Sequence, residues 1–191
     1  MRPPDALEAL GEVAAAFDEL GVRWYVGGSV ASSARGVARA SLDVDVVAEL
    51  RPEHAALLAG RLRSTFYVDE KSILEAVRTR GSFNLVHLPT AMKVDVFAPR
   101  DRPYDRAALA RAVRVPLDLE GTGPAYPVAT AEDVILAKLE WFRAGGEVSE
   151  RQWTDVLGVL RIAGDAIDRK YLETTAASLG LSSLLARALR S

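Results

Sequence analysis

No cysteine occurs in the 191 residues, which excludes disulfides, thiolate catalysis and every cysteine-based zinc or iron–sulfur centre. Histidine is nearly absent too, with only His54 and His87, so a histidine-rich metal centre is excluded. Any metal is then expected to be held by oxygen, which favours Mg2+, Mn2+ or Ca2+. No apolar run approaches the roughly 20 residues needed to cross a bilayer. The opening stretch MRPPDALEAL carries early acids and no apolar leader core, so a cytoplasmic protein with no membrane partner is expected. A strong charge imbalance is also lacking: 24 basic and 26 acidic residues leave a net charge of -2. Contact with nucleic acid would therefore need a local patch rather than the overall field. What is plentiful is apolar residue, 49% of the chain, enough for one compact domain or two small lobes sharing a core.

Helical spacing runs through DALEALGEVAAAFDEL, with Asp5 and Glu8 in capping-box relation and Gly21 suited to its C-terminal end. VRWYVG reads as a short buried strand and SVASSARGVA as a helix of small residues. LDVDVVAEL, β-branched and alternating with a period of two, reads as a strand. PEHAALLAGRLR is helical, with Pro52 in its first turn. STFYV is followed by a further helix, DEKSILEAVRTR. SFNLVHL and MKVDVFA are strand-like around a turn at Pro89-Thr90, and YDRAALARAVRVPLDL begins helical and ends extended. From Thr130 the pattern is helical only. TAEDVILAKLEWFRAGG opens with Thr130 and Asp133 in capping-box spacing, and SERQWTDVLGVLRIAG opens with Ser149 and Gln152 likewise. Two shorter helices close the chain. The expected fold is α/β (α+β): a mixed sheet with flanking helices over 1–128, then a helical bundle lobe over 129–191.

Two carboxylates stand inside the apolar strand LDVDVV. Side chains alternate along a strand, so Asp43 and Asp45 share one face while Val44 and Val46 face the core. At a rise of about 3.3 Å per residue the two are about 7 Å apart, close enough to converge on one or two cations. MKVDVF repeats the pattern with Lys93 and Asp95 on one face, so Asp95 becomes a third member of the cluster if the two strands pair. Three such groups repel one another and raise their own pKa values unless a cation is bound. A pair of Mg2+ ions about 3.5–4 Å apart is the common arrangement for in-line nucleotidyl transfer. Gly27 and Gly28 follow a strand and precede a helix, so the backbone can approach a phosphate closely. Ser29 falls at that helix's N-terminus, where N–H groups and the dipole favour anions. Taken singly, these are a tight turn, a solvated strand edge and a surface acid beside Lys93. Their order along the chain is what favours a metal-and-triphosphate site.

The pattern Val26-Gly27-Gly28-Ser29, Asp43-Val44-Asp45-Val46 and a later strand Asp95 resembles the nucleotidyltransferase superfamily that includes DNA polymerase beta. A narrower likeness covers most of the chain. GGSVASSARGVARASLDVDV, AEDVILAKLEWF and RQWTDVLGVL are similar to the AbiEii/MenT toxin-like nucleotidyltransferases, with Gln152 where that group usually has Asp. The resemblance carries over Arg39, Ser41, Asp43, Asp45, Lys138, Arg151 and Asp155. It implies two lobes with NTP between them, held by the Lys138 helix. It also implies nucleotide transfer to the 3′ end of tRNA and a partner antitoxin. Lys138 lies about one helical turn from Trp141 and Phe142, so lysine could meet the triphosphate while an aromatic stacks on a base; equally, Trp141, Phe142 and Trp153 could be interlobe core. Asp155 either pairs with Lys138 or Arg151, or acts on the acceptor hydroxyl.

The expected activity is therefore Mg2+- (or Mn2+-) dependent transfer of NMP from NTP to an acceptor hydroxyl. Asp43 and Asp45 would bind both metals, and Asp95 would bind one and help deprotonate the acceptor. Gly27, Gly28, Ser29, Arg39, Ser41 and Lys138 would bind nucleotide, and Asp155 would complete the catalytic set. Arginines 35, 39, 78, 80, 100, 102, 106, 111 and 114 could line a phosphate track for an RNA acceptor, or form a solvated face. The alternatives are an aminoglycoside-type small-molecule acceptor, adenylylation of a protein, or a non-catalytic nucleotide-binding antitoxin or sensor. Both histidines are read as structural.

Overall fold

The computed structural model describes residues 4–35, 43–118 and 120–191. Seven strands form one sheet: β1 Trp24–Val26, β2 Asp43–Ala48, β3 Phe66–Tyr67, β4 Ser82–His87, β5 Lys93–Phe97, β6 Val113–Pro116 and β7 Ala125–Val128. Their order is β3-β4-β5-β2-β1-β7-β6. The sheet is mixed, as expected. β2 runs parallel to β5 and β1 parallel to β7, while the β1–β2, β3–β4, β4–β5 and β6–β7 pairs are antiparallel.

The described helices are α1 Pro4–Glu19, α2 Gly28–Ala34, α3 His54–Leu62, α4 Glu70–Thr79, α5 Pro103–Arg111, α6 Ala131–Ala144, α7 Glu150–Ala163, α8 Arg169–Ser178 and α9 Ser182–Leu189. All described strands precede Ala129, and only helices and a short 3-10 turn follow. Helix α1 packs on the sheet against β2 and β5, burying Val44, Val46, Val94 and Val96 beneath Leu10, Val13 and Phe17. It stops at Gly21, whose φ of +65° costs a glycine little. The anticipated caps of the later helices form: the side chain of Thr130 accepts from Asp133 N–H and that of Ser149 from Gln152 N–H. Among the described residues no helix is long and apolar enough to cross a membrane.

The strand β7 has no separate sequence signal. It sits between β1 and β6 although Pro127 removes one of its donors. Its last residue, Val128, pairs with Val26, and Ala129 N–H donates to Val26 C=O at 3.0 Å. This junction sends the chain into α6 directly beside the Gly27–Gly28 turn.

Candidate active site

Pairing β2 parallel to β5 sets Asp43 opposite Lys93 and Asp45 opposite Asp95. The alternation of burial along both strands puts the valines in the core and Asp43, Lys93, Asp45 and Asp95 on the other face. The strand pairing on which the three-carboxylate cluster depends is therefore present. The geometry around Asp45 is tight. Gly27 N–H donates to Asp45 C=O at 2.9 Å, and Ser29 N–H donates to the Asp45 carboxylate. A Cβ at Gly28 would lie 1.7 Å from Asp45 Oδ2, and Gly28 has φ +54°. Only glycine lets the backbone pass this carboxylate.

This contact alters one expectation. The Ser29 N–H, expected to face phosphate, is engaged by the protein's own aspartate. Burial raises the Asp45 pKa, and the Asp95 charge adds to the rise; Ser29 N–H and the charge of Lys138 pull it back. Lys93 stands between the other two acids, its Nζ 2.9 Å from Asp95 Oδ2 and 3.9 Å from Asp43 Oδ2. Its pKa is raised, chiefly by the hydrogen bond to Asp95. An ammonium thus supplies part of the positive charge this face demands. As hard oxygen donors the three aspartates suit Mg2+ or Mn2+, but they are not drawn close together. Among the described residues, the only group of three or more ligand-type side chains with ligand atoms all within 4.8 Å is Glu8, Glu12 and His87.

Local spacing does not announce that second group, because His87 is 75 positions from Glu12. His87 is fully buried. Its Nδ1 is 2.8 Å from Thr90 Oγ1 and its Nε2 is 3.2 Å from Glu12 Oε1, and Thr65 Oγ1 donates to Glu12. A satisfied buried network accounts for this imidazole, in line with its structural reading.

Lys138 and Asp155 meet in the interior. Both are nearly buried, at 6% and 4% exposure, and Nζ donates to Asp155 Oδ2 at 2.8 Å and to Gln152 Oε1 at 3.3 Å. Of the open partners for Asp155, the structure pairs it with Lys138, and Gln152 joins them. The three aromatics separate. Phe142 is buried against Trp153 at 5.1 Å between ring centroids, whereas Trp141 stays exposed and meets Phe97 edge-on.

Most of the candidate arginine track is consumed internally. Arg102 is held by Asp105 and Glu140, Arg106 by Asp101, Arg78 by Glu75, and Arg114 donates to Ala125 C=O. Arg35 donates twice to Ala129 C=O, at 2.7 and 3.0 Å, tying α2 to the entry of α6. Arg111 bonds Glu132 and Asp133 and stacks 3.8 Å over the Tyr171 ring. Tyr171 Oη donates to Asp133 Oδ1 at 2.7 Å. This buried cluster fixes the N-terminal end of α6. The sequence offered only Thr130 and Asp133 as a cap and no sign of Tyr171. Arg80 and Arg100 are exposed and make no ion pair among the described residues. Arg39 and Ser41 lie outside the described residues, and Arg151 is exposed on α7.

No family profile and no curated protein matches the chain. Solved structures do. An antigenic nucleotidyltransferase-like protein from Paracoccidioides brasiliensis is similar with a TM-score of 0.54 and 18% identity, over 98% of this chain and 93% of its own. A Thermotoga maritima protein assigned as a nucleotidyltransferase gives 0.51 and 17%, over 81% and 96%. ANT(2″)-Ia, in complex with adenylyl-2″-tobramycin, gives 0.51 and 18%, over 90% and 95%. The fold is the nucleotidyltransferase fold.

Proposed function

We propose that this protein is a nucleotidyltransferase that moves NMP from an NTP to an acceptor hydroxyl. One observation carries the reading: Asp45 and Asp95 are directly opposed on parallel strands, with Asp43 on the same face and the Gly28 backbone packed against Asp45. In this reading Asp43, Asp45 and Asp95 hold Mg2+ or Mn2+, which would supply charge neutralisation at the reacting phosphate. The acceptor oxygen bonds to the α-phosphorus, the bond to the bridging oxygen of the β-phosphate breaks, and pyrophosphate leaves. The hydroxyl proton passes to a carboxylate oxygen of Asp95. Gly27, Gly28 and Ser29 would bind the nucleotide, and the sequence likeness assigns Arg39 and Ser41 the same role. Lys138, oriented by Asp155 and Gln152, contributes positive charge from the helical segment 129–191, taken as a second lobe.

The sequence likeness to AbiEii/MenT toxins further suggests a tRNA 3′ end as acceptor and an antitoxin as partner, in the cytoplasm. The fold shared with the ANT(2″)-Ia complex supports an aminoglycoside as the competing acceptor. Incubation with each labelled NTP, Mg2+ and parallel acceptors (total tRNA, tobramycin, and a protein lysate) tests both. Label transfer abolished by Asp45→Asn and Asp95→Asn is expected. Transfer that survives both substitutions would place the chemistry elsewhere.

A further inference from the structure

Asparagine is depleted in strands, where its short amide competes for backbone bonds and packs poorly. Asn84 nevertheless lies inside β4, an interior strand between β3 and β5. It is exposed, and among the described residues no hydrogen bond holds its side chain. Nothing in the described fold uses the amide. Its neighbour is definite. Asn84 is directly opposite Asp95 in the antiparallel β4–β5 pair, so the two side chains share a face, with Cβ atoms about 4.5–5.5 Å apart. Across that face the order is the Gly28–Ser29 turn, Asp45, Asp95 and Asn84.

The two halves of the face differ in cover. On the β1 side Tyr25, opposite Val47, is buried, and α2 packs against both β2 and α6. On the β4 side Ser82 and Asn84 are exposed. Tyr67, which is opposite Val86 and shares their face, is 67% exposed. In the transferase reading the triphosphate lies towards the Gly28–Ser29 turn and Lys138, so pyrophosphate departs on the covered side. An in-line displacement brings the attacking oxygen from the opposite direction. That direction is the open one, over Asp95 and Asn84. We infer that Asn84 is an acceptor-binding residue: its Nδ2–H donates to the attacking hydroxyl oxygen while the proton of that hydroxyl faces Asp95. The inference rests on the transferase reading of the aspartate face and extends the site to β4, which that reading leaves out.

The test is steady-state transfer by the full chain with Mg2+, each α-labelled NTP, and total tRNA or tobramycin in separate arms. Asn84→Ala should lower kcat/KM for the acceptor about 2- to 13-fold, the loss of one neutral hydrogen bond, and leave the KM of the NTP unchanged. Asn84→Val should show the same loss while melting no lower than wild type, because a β-branched side chain suits the strand better. The pair separates acceptor binding from folding. Wild-type kcat/KM for the acceptor in both variants would overturn the role of Asn84 and leave the transferase reading standing. A loss confined to the KM of the NTP would overturn it too, by moving Asn84 to the donor side. No transfer to either acceptor by the wild type, or transfer that survives Asp45→Asn, would instead overturn the transferase reading of the face.

Discussion

Gly28→Ala combines two penalties that can be separated. A Cβ at φ +54° is in left-handed backbone, which costs about 1–2 kcal/mol for an L-residue. It would also sit 1.7 Å from Asp45 Oδ2, whereas real Cβ contacts essentially never fall under 3.0 Å. The Asp45 carboxylate must retreat by more than about 1 Å, which breaks its bond from Ser29 N–H; hydrogen bonds to charged groups contribute about 1.5–3 kcal/mol. The sum is about 2.5–5 kcal/mol. For a chain of this size about 1 kcal/mol shifts Tm by about 2–4 °C, so a fall of roughly 5–20 °C is expected in metal-free thermal unfolding. Gly21→Ala is the internal control. Its φ is +65° with nothing within 4 Å of the added carbon, so only the backbone term applies. If Gly28→Ala melted no lower than Gly21→Ala, the packing of the turn against Asp45 would be wrong.

Lys138→Met leaves the buried Asp155 without its ammonium partner and should destabilise by about 3–5 kcal/mol, read by urea unfolding. Adding Asp155→Leu should recover most of that loss, and a double variant as unstable as the single would refute the pairing. The raised pKa of Asp45 gives a signed pH effect. The native state holds this proton more tightly, so the contribution is fully present below the ordinary value of 3.8 and is lost as pH rises through the native value. In chelator, Asp45→Asn should therefore gain stability relative to wild type as pH rises from about 4 towards 7; a constant difference would mean Asp45 is not electrostatically disfavoured.

The strand face was legible because alternation is local: Asp43, Asp45, Lys93 and Asp95 announce their side by position alone. The segments GlyGly-helix and ThrAlaGluAsp-helix were legible through turn and cap chemistry. What was not legible depends on contacts between distant residues. β7 hides in AlaTyrProVal because proline argues against an interior strand. The engagement of the Ser29 N–H by Asp45, and the spending of most arginines on internal acids, arise from folding and leave no trace in spacing. Tyr171 and Arg111 meet Asp133 across 38 and 22 positions. Glu12 and His87 likewise have no periodic signature.

The decisive measurement is calorimetric titration of Mg2+ with a non-hydrolysable ATP analogue into wild type, Asp45→Asn and Asp95→Asn. Binding by the wild type that requires the divalent cation and is lost in both variants is the expected result. Equal binding by all three proteins, or none by any, would contradict a nucleotide site built on the β2–β5 carboxylates.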